Sequence, residues 1–396
     1  MFYLIIFLII ALFSILEVLN FDKQISRSFS IIIILILLFI AGLRYETGVD
    51  WRVYESMFET TVPINEITNS LGRELIFSSP DYGYCLLISL IKYFGGSIQT
   101  VFFIVSLLTY FFLYKAIVFF SNGKAISLLV YFAVLFFVLD MSGMRQSLAL
   151  SIFFYSIKYV YSKNRFKFVF LVLFAGSFHW SAYLLLFMYF IIRRTFSSKS
   201  LIVLFCISLL VYVLNVKWLN IIIDKVSPLM GDYAIATKLL FYSTYESSTL
   251  GRDLNLNTIV NIVFYIVTFF LIMYYRKDLE KSNKYFNIFL NIYICQIFTF
   301  FCMFEFIEMS ERLRLYFMIS NIIILPCLIY LFYLKAERIL IFAYVFLFSF
   351  FSCKPYILNA ETTISYHPYQ NYIIYKGFNL NSTGEERLNK QAQLNE

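Results

Sequence analysis

Charge is what this sequence has least of. Only 14% of its 396 residues are Asp, Glu, Lys or Arg, against 61% hydrophobic and 21% aromatic, whereas a soluble chain is about a quarter charged and about half apolar. A water-soluble globular protein is excluded. Six prolines and thirteen glycines are too few for a linker-rich or disordered chain, so nearly the whole length reads as ordered helix with short connections. Two histidines rule out a His-rich metal centre, and the six cysteines form no Cys-x-x-Cys pair, which argues against a zinc site or a disulfide framework. The first twenty residues lack the basic segment and small-residue cleavage site of a secretory leader, and read as a retained first span.

What is present is a series of apolar runs. A hydrocarbon core about 30 Å thick takes roughly 17 to 25 apolar residues in a helix, and that window predicts an all-α polytopic membrane protein with about twelve spans. They fall near 2-19, 29-43, 98-120, 125-143, 145-161, 166-179, 180-192, 200-216, 258-275, 285-304, 313-334 and 338-353. Residues 83-95 are apolar but shorter and hold Lys92, which predicts a re-entrant or interfacial helix. The reading is one transmembrane domain over 1-353, followed by an outer-face or disordered tail, 354-396.

Loops on one side of these spans hold 15 Lys/Arg against 4 Asp/Glu, while the other side, with its long segments 44-97, 217-257 and 354-396, holds 15 against 18. The basic side is cytoplasmic by the positive-inside rule. The net charge of +8 is therefore an insertion signal and calls for no nucleic-acid partner. Both termini and the long loops are expected outside, so recognition or catalysis should face outward.

Arginines recur at the outward ends of spans: Arg44 closes one, Arg145 opens another, and Arg312 and Arg314 open a third, with His179 at the same depth. A guanidinium keeps its charge and offers paired donors to phosphate oxygens. Several of them converging at headgroup level would hold a lipid-linked diphosphate and stabilise the charge that develops when it leaves. Headgroup anchoring is the competing explanation for the same residues. Asp50 and Glu46 either orient Arg44 through a salt bridge or supply a base for an acceptor hydroxyl. His179 either relays that proton or packs between Phe178 and Trp180. Gln146 and Ser181 are candidate donors to a sugar, or polar contacts between helices. Aromatic and charged residues of the 217-257 loop, among them Tyr233, Tyr242, Asp232, Glu246, Arg252 and Asp253, could line a glycan groove.

The runs Arg44-x-x-x-Gly48-x-Asp50-x-x-x-Tyr54-x-x-x-Phe58, Arg145-Gln146-x-x-Ala149, His179-x-Ser181-Ala182 and Arg312-x-x-x-Tyr316-Phe317 resemble the EpsG-like group of Wzy-type polysaccharide polymerases. Together they cover most of the chain. The resemblance implies a bacterial inner-membrane glycosyltransferase that polymerises O-antigen or capsule repeat units carried on undecaprenyl diphosphate, acting at the periplasmic face. It also implies an architecture like that of membrane glycosyltransferases of the C type. No nucleotide sugar, metal or other cofactor is expected, and a chain-length regulator protein is a candidate partner. On this resemblance Asp50 and His179 are the candidate catalytic residues, and Arg44, Tyr54, Arg145, Gln146, Arg312, Arg314 and Tyr316 the substrate-binding ones. An inverting displacement is the favoured mechanism. An O-antigen ligase would use the same donor. A flippase or transporter would place polar residues at mid-span, yet Glu17, Asp140, Lys115 and Lys158 all lie near span ends.

Overall fold

A computed structural model describes residues 1-19, 22-66, 79-222, 225 and 256-395. Among them every regular element is helical, and the β pairing present is an isolated bridge between Arg44 and Asn371. The expected groove in the 217-257 loop lies mostly outside the described residues. The chain divides into two compact units, Met1–Arg193 with Ile322–Glu396, and Arg194–Asn321. The hydropathy reading of a single span-rich domain does not contain that division.

The first unit opens with α1 (Phe2–Leu19) and α2 (Lys23–Gly42). Along α1, Tyr3, Phe7 and Ile10 are fully buried while Ile5, Leu8 and Leu12 are about half exposed. A helix apolar on both its packed and its outward face is suited to lipid on the second. Asp22 caps α2 by accepting from the Gln24 N–H at 2.7 Å. The chain continues through α3 (Trp51–Thr60), α4 (Tyr82–Tyr93), α5 (Ile98–Phe120) and α6 (Lys124–Tyr131). The free N–H groups that begin α6 meet an unusual cap. The buried Glu17 carboxylate accepts from Lys124, Ala125 and Ile126 N–H at 2.9, 3.0 and 3.1 Å, satisfying three of the four orphan donors at the positive end of the helix dipole.

From Phe132 to Asp140 the helix widens into a π-helix, and the N–H of Met141 reaches back five residues to the Phe136 carbonyl at 3.0 Å. Then come α7 (Met144–Tyr161) and α8 (Arg165–Phe178), which pack on one another, α7 also lying on α5. After α8 the backbone extends at His179 and resumes as a 3₁₀ helix, Trp180–Phe187.

The second unit is built on α9 (Ser198–Val213) packed against α10 (Phe286–Cys302), with Phe205 stacked on Phe269 at 4.1 Å. Gln296 is buried in α10, its Oε1 accepting from the Ser320 hydroxyl at 2.9 Å and the Asn321 amide at 3.2 Å. Here α11 (Ile307–Phe317) follows α10. The first unit is completed by α12 (Lys335–Leu358), which packs on α1, and by the C-terminal α13 (Gly384–Asn395). The residues after α12 pack into this unit, with Tyr366, Gln370 and Arg387 buried.

Five helices among the described residues are long and apolar enough to cross a membrane: Phe2–Leu19, Gln24–Gly42, Ile98–Phe120, Met309–Tyr330 and Lys335–Leu358. A sixth follows if Thr258–Tyr274 and Arg276–Ser282, bent by 77°, form one broken span. This is fewer than the twelve hydropathy windows, for local reasons. The 125-143 window changes from α- to π-helix. The 166-192 stretch breaks at His179, and α7 carries Arg145, Gln146 and three buried serines. A multi-pass membrane protein is nevertheless what these helices describe.

Candidate functional site

The loop leaving α2 is fixed before it reaches α3. Arg44 is entirely buried, and its Nη1 donates to the Ala41 carbonyl at 2.9 Å and the Asp140 carbonyl at 2.8 Å, closing the ends of α2 and of the π-helix together. Its guanidinium lies 4.4 Å from the centre of the Phe102 ring. Four residues on, Gly48 has φ +102°, and a Cβ there would stand 1.9 Å from the Met141 carbonyl oxygen. Only glycine permits this approach. The Ser142 hydroxyl then accepts from Val49 N–H at 3.1 Å. The Arg-x-x-x-Gly spacing thus docks a loop onto the turn that follows the π-helix.

That turn holds a second polar cluster. The Asp140 carboxylate is buried and accepts from the hydroxyls of Tyr110 at 2.6 Å, Tyr131 at 2.8 Å and Ser147. Every donor is neutral, so the carboxylate is solvated by hydroxyls in place of water.

The candidate functional centre forms around Asp81, just ahead of α4. Its carbonyl starts the helix by accepting from Tyr84 N–H at 3.0 Å, while its carboxylate turns away from the cap position. Oδ2 receives Arg145 Nη1 at 2.5 Å and lies 3.6 Å from His179 Nδ1; Oδ1 accepts from the Trp180 N–H at 2.9 Å. The last bond exists because the helix breaks at His179, leaving the first N–H of the 3₁₀ segment for an anion. Close packing of α4 on α8 depends on Gly83, where a Cβ would meet the Ser177 hydroxyl at 2.3 Å. Burial raises the Asp81 pKa, but His179, the Arg145 charge and the Trp180 N–H outweigh it and hold the carboxyl below its ordinary value.

Arg145, the second residue of α7, is reached from α3 and α4 by the rings of Tyr54 and Tyr84, whose centres lie 5.5 and 6.0 Å from its guanidinium. Its side chain is 25% exposed, so this cation can meet a ligand, whereas Arg44 is sealed. Tyr54 is itself buried, 5.8 Å from the Tyr84 ring, and interacts electrostatically with both arginines. Among the buried polar atoms without a hydrogen-bond partner are Nε of Arg145, both ring nitrogens of His179 and the hydroxyl of Tyr84. All four atoms belong to this cluster. Unsatisfied donors and acceptors gathered in one place mark a site built for a ligand.

Of the residues singled out in sequence, Arg44, Tyr54, Arg145 and His179 come together in the first unit. Gln146 is buried in α7 beside them in sequence. Asp50 precedes α3 with no side-chain capping bond, and among the described residues neither it nor Glu46 forms an ion pair with Arg44. The Glu46 carboxylate accepts instead from Ser382. Arg312, Arg314 and Tyr316 belong to the second unit, on α11. Arg312 is exposed, Arg314 lies 3.3 Å from Glu311, and Tyr316 is buried. Asp81, Tyr84 and Asp140 are additions that no pattern flagged as functional. The signal for Asp81 was faint: an acid directly before an apolar helix, with aromatics on both sides of Gly83.

The tail secures the same loop. Tyr45 N–H donates to the Gln370 carbonyl at 2.9 Å, Tyr372 N–H to Leu43 at 2.8 Å and Gly48 N–H to Ser365 at 3.0 Å. Arg387 donates to the carbonyls of Glu46 at 2.7 Å and Pro368 at 2.9 Å.

A family model described as the EpsG family matches residues 27–371. No curated protein and no solved structure matches the chain.

Proposed function

Because this chain belongs to the EpsG family, we propose that it is a glycosyltransferase that polymerises undecaprenyl-diphosphate-linked oligosaccharide repeat units at the periplasmic face of the bacterial inner membrane. The observation that carries this reading is the Asp81 cluster: a ligand-accessible arginine and a histidine share one buried carboxylate, among aromatic rings.

In this reading Arg145 binds the donor diphosphate, and Arg44 supplies a fixed positive charge from beneath Tyr54. With Nδ1–H turned toward Asp81, His179 Nε2 is left to accept a proton. The acceptor hydroxyl oxygen bonds to the donor's anomeric carbon as the bond from that carbon to the diphosphate oxygen breaks. The electron pair departs with the diphosphate, stabilised by Arg145, and the hydroxyl proton passes to His179. Asp81 holds both partners in register and stays ionised. The geometry favours His179 over Asp50 as the base, since His179 lies against the Asp81 carboxylate, whereas Asp50 meets the cluster through its carbonyl, which accepts from Tyr54 N–H at 3.2 Å. Arg312, Arg314 and Tyr316 are proposed as further substrate contacts on their sequence motif alone.

Purified full-length protein incubated with lipid-linked repeat units tests the proposal. A ladder of chain lengths is the expected product. Material that stays at one repeat unit, or that is only moved across the vesicle membrane, would overturn it.

A further inference from the structure

A cavity of about 250 Å³ opens beside the Asp81 cluster without belonging to it. Phe102 is the shared wall, lining the cavity while its ring lies against the Arg44 guanidinium. Tyr45, Trp51 and Tyr372 supply further aromatic surface, and Glu46, Glu55 and Gln99 supply polar groups. Gln99 Oε1 is buried with no hydrogen-bond partner. An acceptor left bare in a cavity wall is completed by a ligand that donates.

The charge of the lining selects the class of ligand. The lining holds two carboxylates, Glu46 and Glu55, and one cation, Lys376, 5.6 Å from the Tyr45 ring, while Arg52, outside the lining, pairs with Glu55 at 2.6 Å. Such a lining does not attract an anion and does not repel a neutral molecule. What it offers is flat aromatic faces for C–H surfaces and oxygen acceptors for hydroxyl donors. The volume lies below the roughly 300 to 1,000 Å³ of pockets for drug-sized ligands, so it suits one ring and not a chain of them.

Building on the polymerase reading, we propose that this cavity binds one neutral sugar ring, the non-reducing terminal residue of the acceptor repeat unit. Its carboxylates disfavour a diphosphate, and the terminal sugar is the part of the acceptor farthest from its own diphosphate. Across Phe102 lie Arg44 and the Tyr54 ring, and Tyr54 in turn faces the Arg145 guanidinium that holds the donor.

The test uses the full-length protein in lipid nanodiscs and the oligosaccharide released by mild acid from the host's lipid-linked repeat units. Trp51 lines the cavity and is one of three tryptophans. Saturable change in tryptophan fluorescence is expected, lost in Trp51→Phe. In Glu55→Gln and in Gln99→Leu the apparent Kd, and the KM for acceptor, should each rise about tenfold, the worth of one hydrogen bond, while kcat stays within about twofold. Unchanged Kd and KM in both variants would overturn the cavity assignment, as would a fluorescence change that survives in Trp51→Phe. Oligosaccharide binding by wild-type protein that forms no polymer would instead remove the polymerase reading and leave a sugar site.

Discussion

Arg145, on α7, and Asp81, just ahead of α4 and 64 residues earlier, meet at 2.5 Å, and the carboxylate is 3% exposed. A pair buried on one side and open on the other holds a cation in position while leaving part of it for an incoming anion. Removing either partner strands a buried charge, which is destabilising by roughly 3 to 5 kcal/mol in a fully buried pair.

The most informative substitution is therefore the one that keeps shape. Asp81→Asn retains an acceptor for the Trp180 N–H but not the charge that orients Arg145 and His179. Polymer yield per folded molecule should fall about 10² to 10³-fold, measured as ladder formation normalised to protein retained on size exclusion. Arg145→Lys keeps charge but loses the fork, and should also lose most of the yield.

Acid should act through the same carboxylate. Its pKa is depressed in the folded protein, so its contribution is fully present above the unfolded value of about 3.9 and is lost as pH falls through the lower folded value. Melting temperature measured from pH 7 down to pH 3 should therefore show an Asp81-dependent decline only below about pH 4. In Asp81→Asn that part of the decline should disappear.

Gly48 carries the loop. Alanine there would need φ near +102° and would drive its Cβ into Met141, so Gly48→Ala should lower stability by roughly 1 to 3 kcal/mol and shift hydrogen exchange of the loop amides. A Gly95→Ala control meets open space, though its φ of +74° still imposes some strain, and should shift the melting temperature less.

Glu17→Gln separates folding from chemistry. It weakens the cap on α6, whose Lys124, Ala125 and Ile126 N–H groups donate to this carboxylate, and should reduce stability by about 1 to 3 kcal/mol. Turnover per folded molecule should be unchanged, checked by thermal melts beside the ladder assay.

Much of this was readable from residue order. Apolar runs with sparse charge announce membrane helices. Asp81 was hidden because it is one of many acids in the long polar segments, and its partners Arg145 and Trp180 arrive 64 and 99 residues later. Arg44 was legible as a costly cation at a span end, but not that it would be sealed from the exterior with backbone carbonyls from α2 and the π-helix receiving it. Hydropathy cannot show a change from α- to π-helix within one apolar window, nor that residues after 353 pack on the loop that carries Arg44.

The central claim is that His179, oriented by Asp81, takes the acceptor proton while Arg145 holds the donor. The most direct measurement compares His179→Ala with wild type for binding of the lipid-linked donor and for chain elongation from it. The account predicts donor affinity within about twofold and elongation slower by about 10² to 10⁴. Wild-type elongation in His179→Ala would contradict it.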